Sequence, residues 1–238
     1  MIKLYEMTGR VRFSEIDEQG YLSLHHLINY FQDCSTFHLE DLGLGSEYFK
    51  SQDLAFYVLS WQIEINRLPT LGEKIKVGTQ IYDCKGVFGY RNYFLLTEDD
   101  EMLAYANLCG CFINSKTGSF VKFSPEEITK YPIEEKYDME YLPRKIKAPK
   151  PEKIFDAIDI YQYQIDTNRH VNNSQYVAIA SEYLPQSVCV KQLRVDYKKA
   201  VKLGDVLIPT LTKQEDIYYV TLCDQDLNPC VIVAFKSE

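Results

Sequence analysis

YQIDTNRHVNNSQYVAIASE, Tyr163–Glu182, decides how the whole chain is read. Asp166, Asn168 and His170 stand in it at every second position, just ahead of Asn172 and Asn173. If the run is extended, a period of two puts the three side chains on one face, whereas in a helix they would splay apart. The stretch predicts an extended run entering a helix, with Asn172 or Asn173 as N-cap. Tyr176, Val177, Ala180 and Leu184 supply the helix's apolar positions, and Pro185 stops it. A polar loop with capping side chains is the competing reading of the same residues.

The pattern occurs twice. FSEIDEQGYLSLHHLINYFQD, 13–33, also runs through an Ile-Asp step and a polar turn into a helical stripe. Its apolar positions are Leu24, Leu27, Ile28 and Phe31, followed by Cys34 and ending near Gly43. Each helix precedes β-rich sequence: YVLSWQIEINRLPTLGEKIKV (57–77) parallels VKQLRVDYKKAVKLGDVLIP (190–209). Gly72 then stands opposite Gly204, and Glu73 opposite Asp205. Runs rich in Val, Ile, Tyr and Phe at 87–97, 102–113, 217–223 and 230–235 predict antiparallel strands. The expected fold is α+β, one long helix wrapped by an antiparallel sheet, present twice in tandem. The expected division is 1–125, a linker over 126–155, and 156–238.

The repeats differ where chemistry is expected. Asp17 aligns with Asp166, so a structural task such as capping competes with a chemical one for that acid. Gln19 and Tyr21 stand where the second repeat has Asn168 and His170. Such one-sidedness suggests that one half reacts and the other holds. His25, His26 and His38, on or beside the first helix, are expected to be structural.

Composition is that of an ordinary globular protein, 46% hydrophobic and 25% charged. The first residues, MIKLYEMTGRVRF, are too interrupted by charge for a signal-peptide core. The uncharged run Met102–Ser115 is too short to span a bilayer. Seven cysteines without a CxxC pair predict reduced, buried thiols and a cytoplasmic location. Net charge is −8, which argues against a nucleic-acid partner. It is unevenly spread: residues 1–142 hold 13 basic and 22 acidic side chains, residues 143–238 hold 13 and 12. The basic stretches PRKIKAPKPEK (143–153) and KQLRVDYKK (191–199) fit either a solvated surface or an acidic protein partner.

The string Asp166, Asn168, His170, Val171, Asn172, Asn173 resembles the D-x-N-x-H-V-N-N motif of acyl-acyl carrier protein thioesterases, tandem hotdog-fold enzymes. NRLPTLGEKIKV (66–77) with Trp61 ahead of it, GVFGYRNYFL (86–95) and TGSFVKFSPEE (117–127) follow that family's order. The resemblance implies hydrolysis of a fatty acyl thioester on acyl carrier protein, which ends chain elongation in fatty acid biosynthesis. It implies no metal or redox cofactor. The first hotdog would hold the acyl chain and the second would carry the catalytic residues Asp166, Asn168 and His170. An imidazole ordinarily titrates near pH 6.5, so a histidine is suited to take the attacking water's proton. Asp166 would orient it, and Asn168 would align water or donate to the carbonyl oxygen. Arg144, Lys145, Lys147, Lys198, Lys199 and Lys202 are the residues expected to meet the acidic carrier protein. No membrane partner is implied, and a homodimer is compatible with the sequence.

One departure stands out. Where the family commonly has Glu, often followed by Cys, DYKKAV places Ala200 and Val201. A cysteine nucleophile at that position is excluded. The alternatives are a coenzyme A thioesterase, a hotdog dehydratase and a non-catalytic acyl-binding protein.

Overall fold

In the computed structural model, which describes residues 4–186 and 188–238, the chain is mixed α/β with a predominantly antiparallel sheet. Its strands are β1 (Tyr5–Arg10), β2 (Leu54–Ile65), β3 (Lys74–Lys85), β4 (Phe88–Thr97), β5 (Met102–Asn114), β6 (Lys153–Ile154), β7 (Ile158–Asp159), β8 (Val190–Tyr197), β9 (Val206–Gln214), β10 (Ile217–Cys223) and β11 (Pro229–Ser237). The helices are α1 (Leu24–Asp41), α2 (Ser46–Ser51), α3 (Pro125–Ile128) and α4 (Asn173–Ser181). Two compact units emerge. The first runs to Leu59 and resumes over Asn66–Leu142; the second joins Ser60–Ile65 to Pro143–Glu238.

The first unit orders its strands β1-β3-β4-β5, all antiparallel. Leu27, Tyr30, Phe31, Cys34 and His38 are buried along one stripe of α1, as a helix laid on a sheet requires. Burying each large apolar side chain in that stripe contributes roughly 1.5–3 kcal/mol. Phe31 meets Tyr93 with ring centroids 5.2 Å apart, and the Cys34 thiol donates to Val77 O at 3.3 Å. Arg91 through Leu96 are buried without a break, because both faces of β4 are covered.

The second covering is the stretch read as a linker, which is not a loose tether. In the first unit, Glu134 N donates to Ile81 O (2.8 Å), Gln80 Nε2 to Glu135 O (2.6 Å) and Tyr137 N to Asn92 Oδ1 (3.1 Å). In the second, Ile146 N donates to the buried Asp196 Oδ2 (3.0 Å), and Glu152 N to Leu211 O (3.1 Å). Ile146 also packs on Ile232 and Ala234. One division between the units falls at Leu142/Pro143, and Ser60–Ile65, expected in the first domain, belongs to the second unit.

The second unit pairs Ser60–Glu64 with β8, then runs β8-β11-β10-β9, with β6 and β7 both on β9. Its helix corrects the expectation of a long one: α4 has 9 residues against 18 in α1. Pro185 disfavours helical geometry at Leu184, and the chain leaves the helix after Ser181. No helix is long and apolar enough among the described residues to cross a membrane.

Candidate active site

Residues 166–170 form a tight turn, not the extended run expected from their period of two. Asp166 N donates to His170 O (2.8 Å) and Arg169 N to Asp166 O (3.0 Å), while Ile165 bridges Val171. The Asp166 carboxylate closes the turn from inside: Oδ1 accepts Asn168 N (2.8 Å) and His170 N (3.3 Å). Two backbone amides on one carboxylate outcompeted the extended form. The three predicted residues therefore share one five-residue turn, with Asn168 exposed and Asp166 and His170 half-buried. The His170 Nδ1 atom is sealed from solvent.

The first unit repeats this turn bond for bond. Asp17 N donates to Tyr21 O (2.8 Å) and Gly20 N to Asp17 O (3.0 Å). Asp17 Oδ1 accepts Gln19 N and Tyr21 N, both at 3.0 Å. Gly20 has φ +86° and its counterpart Arg169 has φ +61°, a left-handed conformation that costs a residue with a Cβ roughly 1–2 kcal/mol. The match extends onward: Leu22 N donates to Pro69 O (2.8 Å) and Val171 N to Val201 O (2.9 Å). Thr70 N meets Glu73 Oε2 (3.0 Å) as Lys202 N meets Asp205 Oδ2 (2.9 Å).

At the helix that follows, the two units part. Asn172 is the N-cap of α4, its Oδ1 accepting Ser174 N at 3.0 Å. Ser23, the N-cap of α1, does not cap with its side chain. Its Oγ lies 2.8 Å from His26 Nδ1 and 3.2 Å from His25 Nδ1. Burial pushes the His25 imidazole down to about 4, which makes it a neutral packing group.

Several supports were not singled out from sequence. Gln164 is buried and ties Tyr161 N to its Oε1 (2.8 Å), and its carbonyl accepts Asn172 N (2.8 Å). Tyr176 OH accepts Val201 N (3.1 Å), and Tyr197 OH donates to Asn173 O (2.9 Å). Together they clamp the turn and the start of α4 onto the loop after β8. Their only sequence signal is an aromatic in a helix and another at a strand end, which ordinary core residues share.

Ala200 is exposed and Val201 buried. Among the expected docking residues, Lys198 pairs with Asp196 and Lys199 with Asp224, each at 2.8 Å. Lys145, Lys147 and Lys202 are exposed, and Arg144 is half-buried.

This fold has counterparts among known proteins. Residues 3–131 match the acyl-ACP thioesterase N-terminal domain family, and residues 147–228 the acyl-ACP thioesterase C-terminal domain family. The chain belongs to the acyl-ACP thioesterase family. It is 28% identical over 220 residues to an acyl-[acyl-carrier-protein] hydrolase, chloroplastic, of Cuphea viscosissima, covering 85% of this chain and 53% of that protein. It thus spans about half the length of such curated relatives. The fold superposes on an acyl-ACP thioesterase of Bacteroides thetaiotaomicron with a TM-score of 0.88 at 21% identity, covering 99% and 98% of the two chains. For the 12:0-ACP thioesterase of Umbellularia californica the values are 0.84, 18%, 99% and 97%.

Proposed function

We propose that this chain is a tandem hotdog hydrolase that cleaves the thioester of fatty acyl-acyl carrier protein and releases the free fatty acid. The observation that carries this reading is the unequal repeat. One turn is built twice with the same backbone bonds, and only the copy at 166–170 bears Asn168 and His170 in place of Gln19 and Tyr21. In this reading the first unit holds the acyl chain and the second carries the chemistry.

His170 takes a proton from water as the water oxygen bonds to the thioester carbonyl carbon. The oxyanion that forms is stabilised by Asn168 and by the positive end of α4. Collapse breaks the carbon–sulfur bond, and the departing thiolate receives the proton held by His170. Asp166 is a positioning residue: its carboxylate holds the backbone that presents His170. Exposed Ala200, where a carboxylate would help activate water, favours slow turnover or, as a second reading, an acyl-binding protein without turnover.

The test is hydrolysis of acyl-carrier-protein and acyl-coenzyme A substrates side by side, in wild type and His170→Ala. Turnover on the carrier-protein substrate should exceed that on coenzyme A and fall by about 10²–10⁴-fold in the variant. Unchanged turnover in a folded variant overturns the assignment of His170; absence of hydrolysis in the wild type, with acyl binding retained, favours the second reading.

A further inference from the structure

Arg91, in the middle of β4, is paired in register with Ile81 and Leu108. It is 6% exposed and, among the described residues, has no ion pair. Its side chain lies on the face of the sheet that carries α1. Nη1 donates to His38 Nδ1 on α1 (3.1 Å) and to Thr79 Oγ1 on β3 (3.3 Å). Asn92, the next residue, points the other way, where its Nδ2 donates to Tyr141 OH at 3.0 Å. Arg91 Nη2 is buried and makes no hydrogen bond among the described residues.

The ordinary reasons for keeping an arginine do not apply at this position. A buried guanidinium without a carboxylate costs several kcal/mol in lost hydration. Leaving one of its nitrogens unpaired costs about 1–3 kcal/mol more. His38 returns little of this, because a neutral imidazole offers one lone pair and no charge. The electrostatic neighbours are thiols and phenols, Cys34, Cys84, Tyr93 and Tyr131, rather than acids. A purely hydrocarbon chain lodged beneath α1 would offer that nitrogen no acceptor.

We infer that Arg91 Nη2 receives a hydrogen-bond-accepting oxygen carried by the acyl chain away from its thioester, as a hydroxyl, oxo or terminal carboxylate group. The preferred substrate class is then an oxygenated acyl chain, read by the Arg91, His38 and Thr79 cluster. This rests on the reading that the first unit receives the acyl chain, but its test does not need turnover.

The experiment is calorimetric binding of non-hydrolysable acyl-pantetheine amides: unsubstituted, terminally hydroxylated and terminally carboxylated, in matched lengths. The wild type should bind at least one oxygenated amide about tenfold more tightly than its plain counterpart. Arg91→Met should bring that ratio to about one, and Arg91→Lys should leave an intermediate value. The lysine variant keeps the test open should the methionine variant melt early. A wild-type ratio of one or less overturns the inference. So does a large ratio that survives both substitutions. Tighter binding of the hydroxylated form alone assigns a neutral oxygen, and of the carboxylated form alone an anionic one. Wild type that binds no amide of any kind rejects the acyl-binding reading itself, a result distinct from equal binding of plain and oxygenated chains.

Discussion

At the scale of residues, the two aspartates separate structure from chemistry. Asp17 and Asp166 accept the same pair of backbone amides in their turns. Alanine at either position should therefore lower stability by a similar amount, about 1–3 kcal/mol, read as paired melting curves. Only Asp166→Ala should also lower turnover, since only its turn presents His170. Equal kinetic damage from both would make the effect a global one. His38 gives a pH prediction. Burial first, and then the Arg91 charge, push its imidazole down to about 4. In the unfolded chain the same group takes a proton near pH 6.5. Between these values the unfolded state binds more protons, so stability is full above about pH 6.5 and is lost as pH falls towards 4. His38→Gln, which keeps an acceptor for Arg91 but cannot titrate, should flatten the decline in melting temperature over that window. An equally steep decline would place the acid sensitivity elsewhere, His25 being the next group to test.

At the scale of elements, the two repeats differ most at their helix starts. The α4 cap is complete, with Asn172 Oδ1 on Ser174 N and Ser174 Oγ donating back to Asn172 Oδ1 at 3.0 Å. The Ser23 hydroxyl instead lies against Glu15 O at 3.2 Å and the two histidine rings. Asn172→Ala should cost about 1 kcal/mol and lower turnover, because in the proposed mechanism the cap fixes the amides that face the oxyanion. Ser23→Ala should leave turnover unchanged, and kinetics beside a denaturant titration distinguishes the two. The helix lengths follow from punctuation. Pro185 cuts α4 short, whereas α1 runs on until Gly43, whose φ of +70° turns the chain away.

At the scale of the whole molecule, the proposed meeting with a carrier protein is a question of charge. Lys198 and Lys199 already neutralise acids of their own unit, so reversing them would break those pairs and confuse the result. Lys145, Lys147 and Lys202 are exposed and carry the prediction instead. Reversing these three to Glu should raise KM for a protein-borne substrate and spare a short thioester. The wild-type KM should itself rise with salt as the Debye length shrinks from about 10 Å at 0.1 M to 3 Å at 1 M. An equal rise for both substrates would remove the lysines from the docking surface.

The sequence by itself pointed to the repeat, the helices α1 and α4, most of the strands and the residues of the turn at 166–170. Each of these rests on local spacing: an Ile-Asp step, a helical stripe, an N-cap asparagine, glycines at 72 and 204 whose φ of +80° and +89° demand their small size. Only the tertiary structure decided between the extended run and the polar turn that both fitted 166–170, because a carboxylate that can reach two amides outweighs a two-residue period. Only it showed that the expected linker is bonded to the strands of each unit, since Asn92, Asp196 and Leu211 are far from it in sequence. The same holds for Arg91. Its burial depends on α1 arriving from more than fifty residues away, which GVFGYRNYFL by itself does not contain. Spacing along a chain reports which face a side chain takes, but whether that face meets water or protein is settled by elements that the local sequence does not contain.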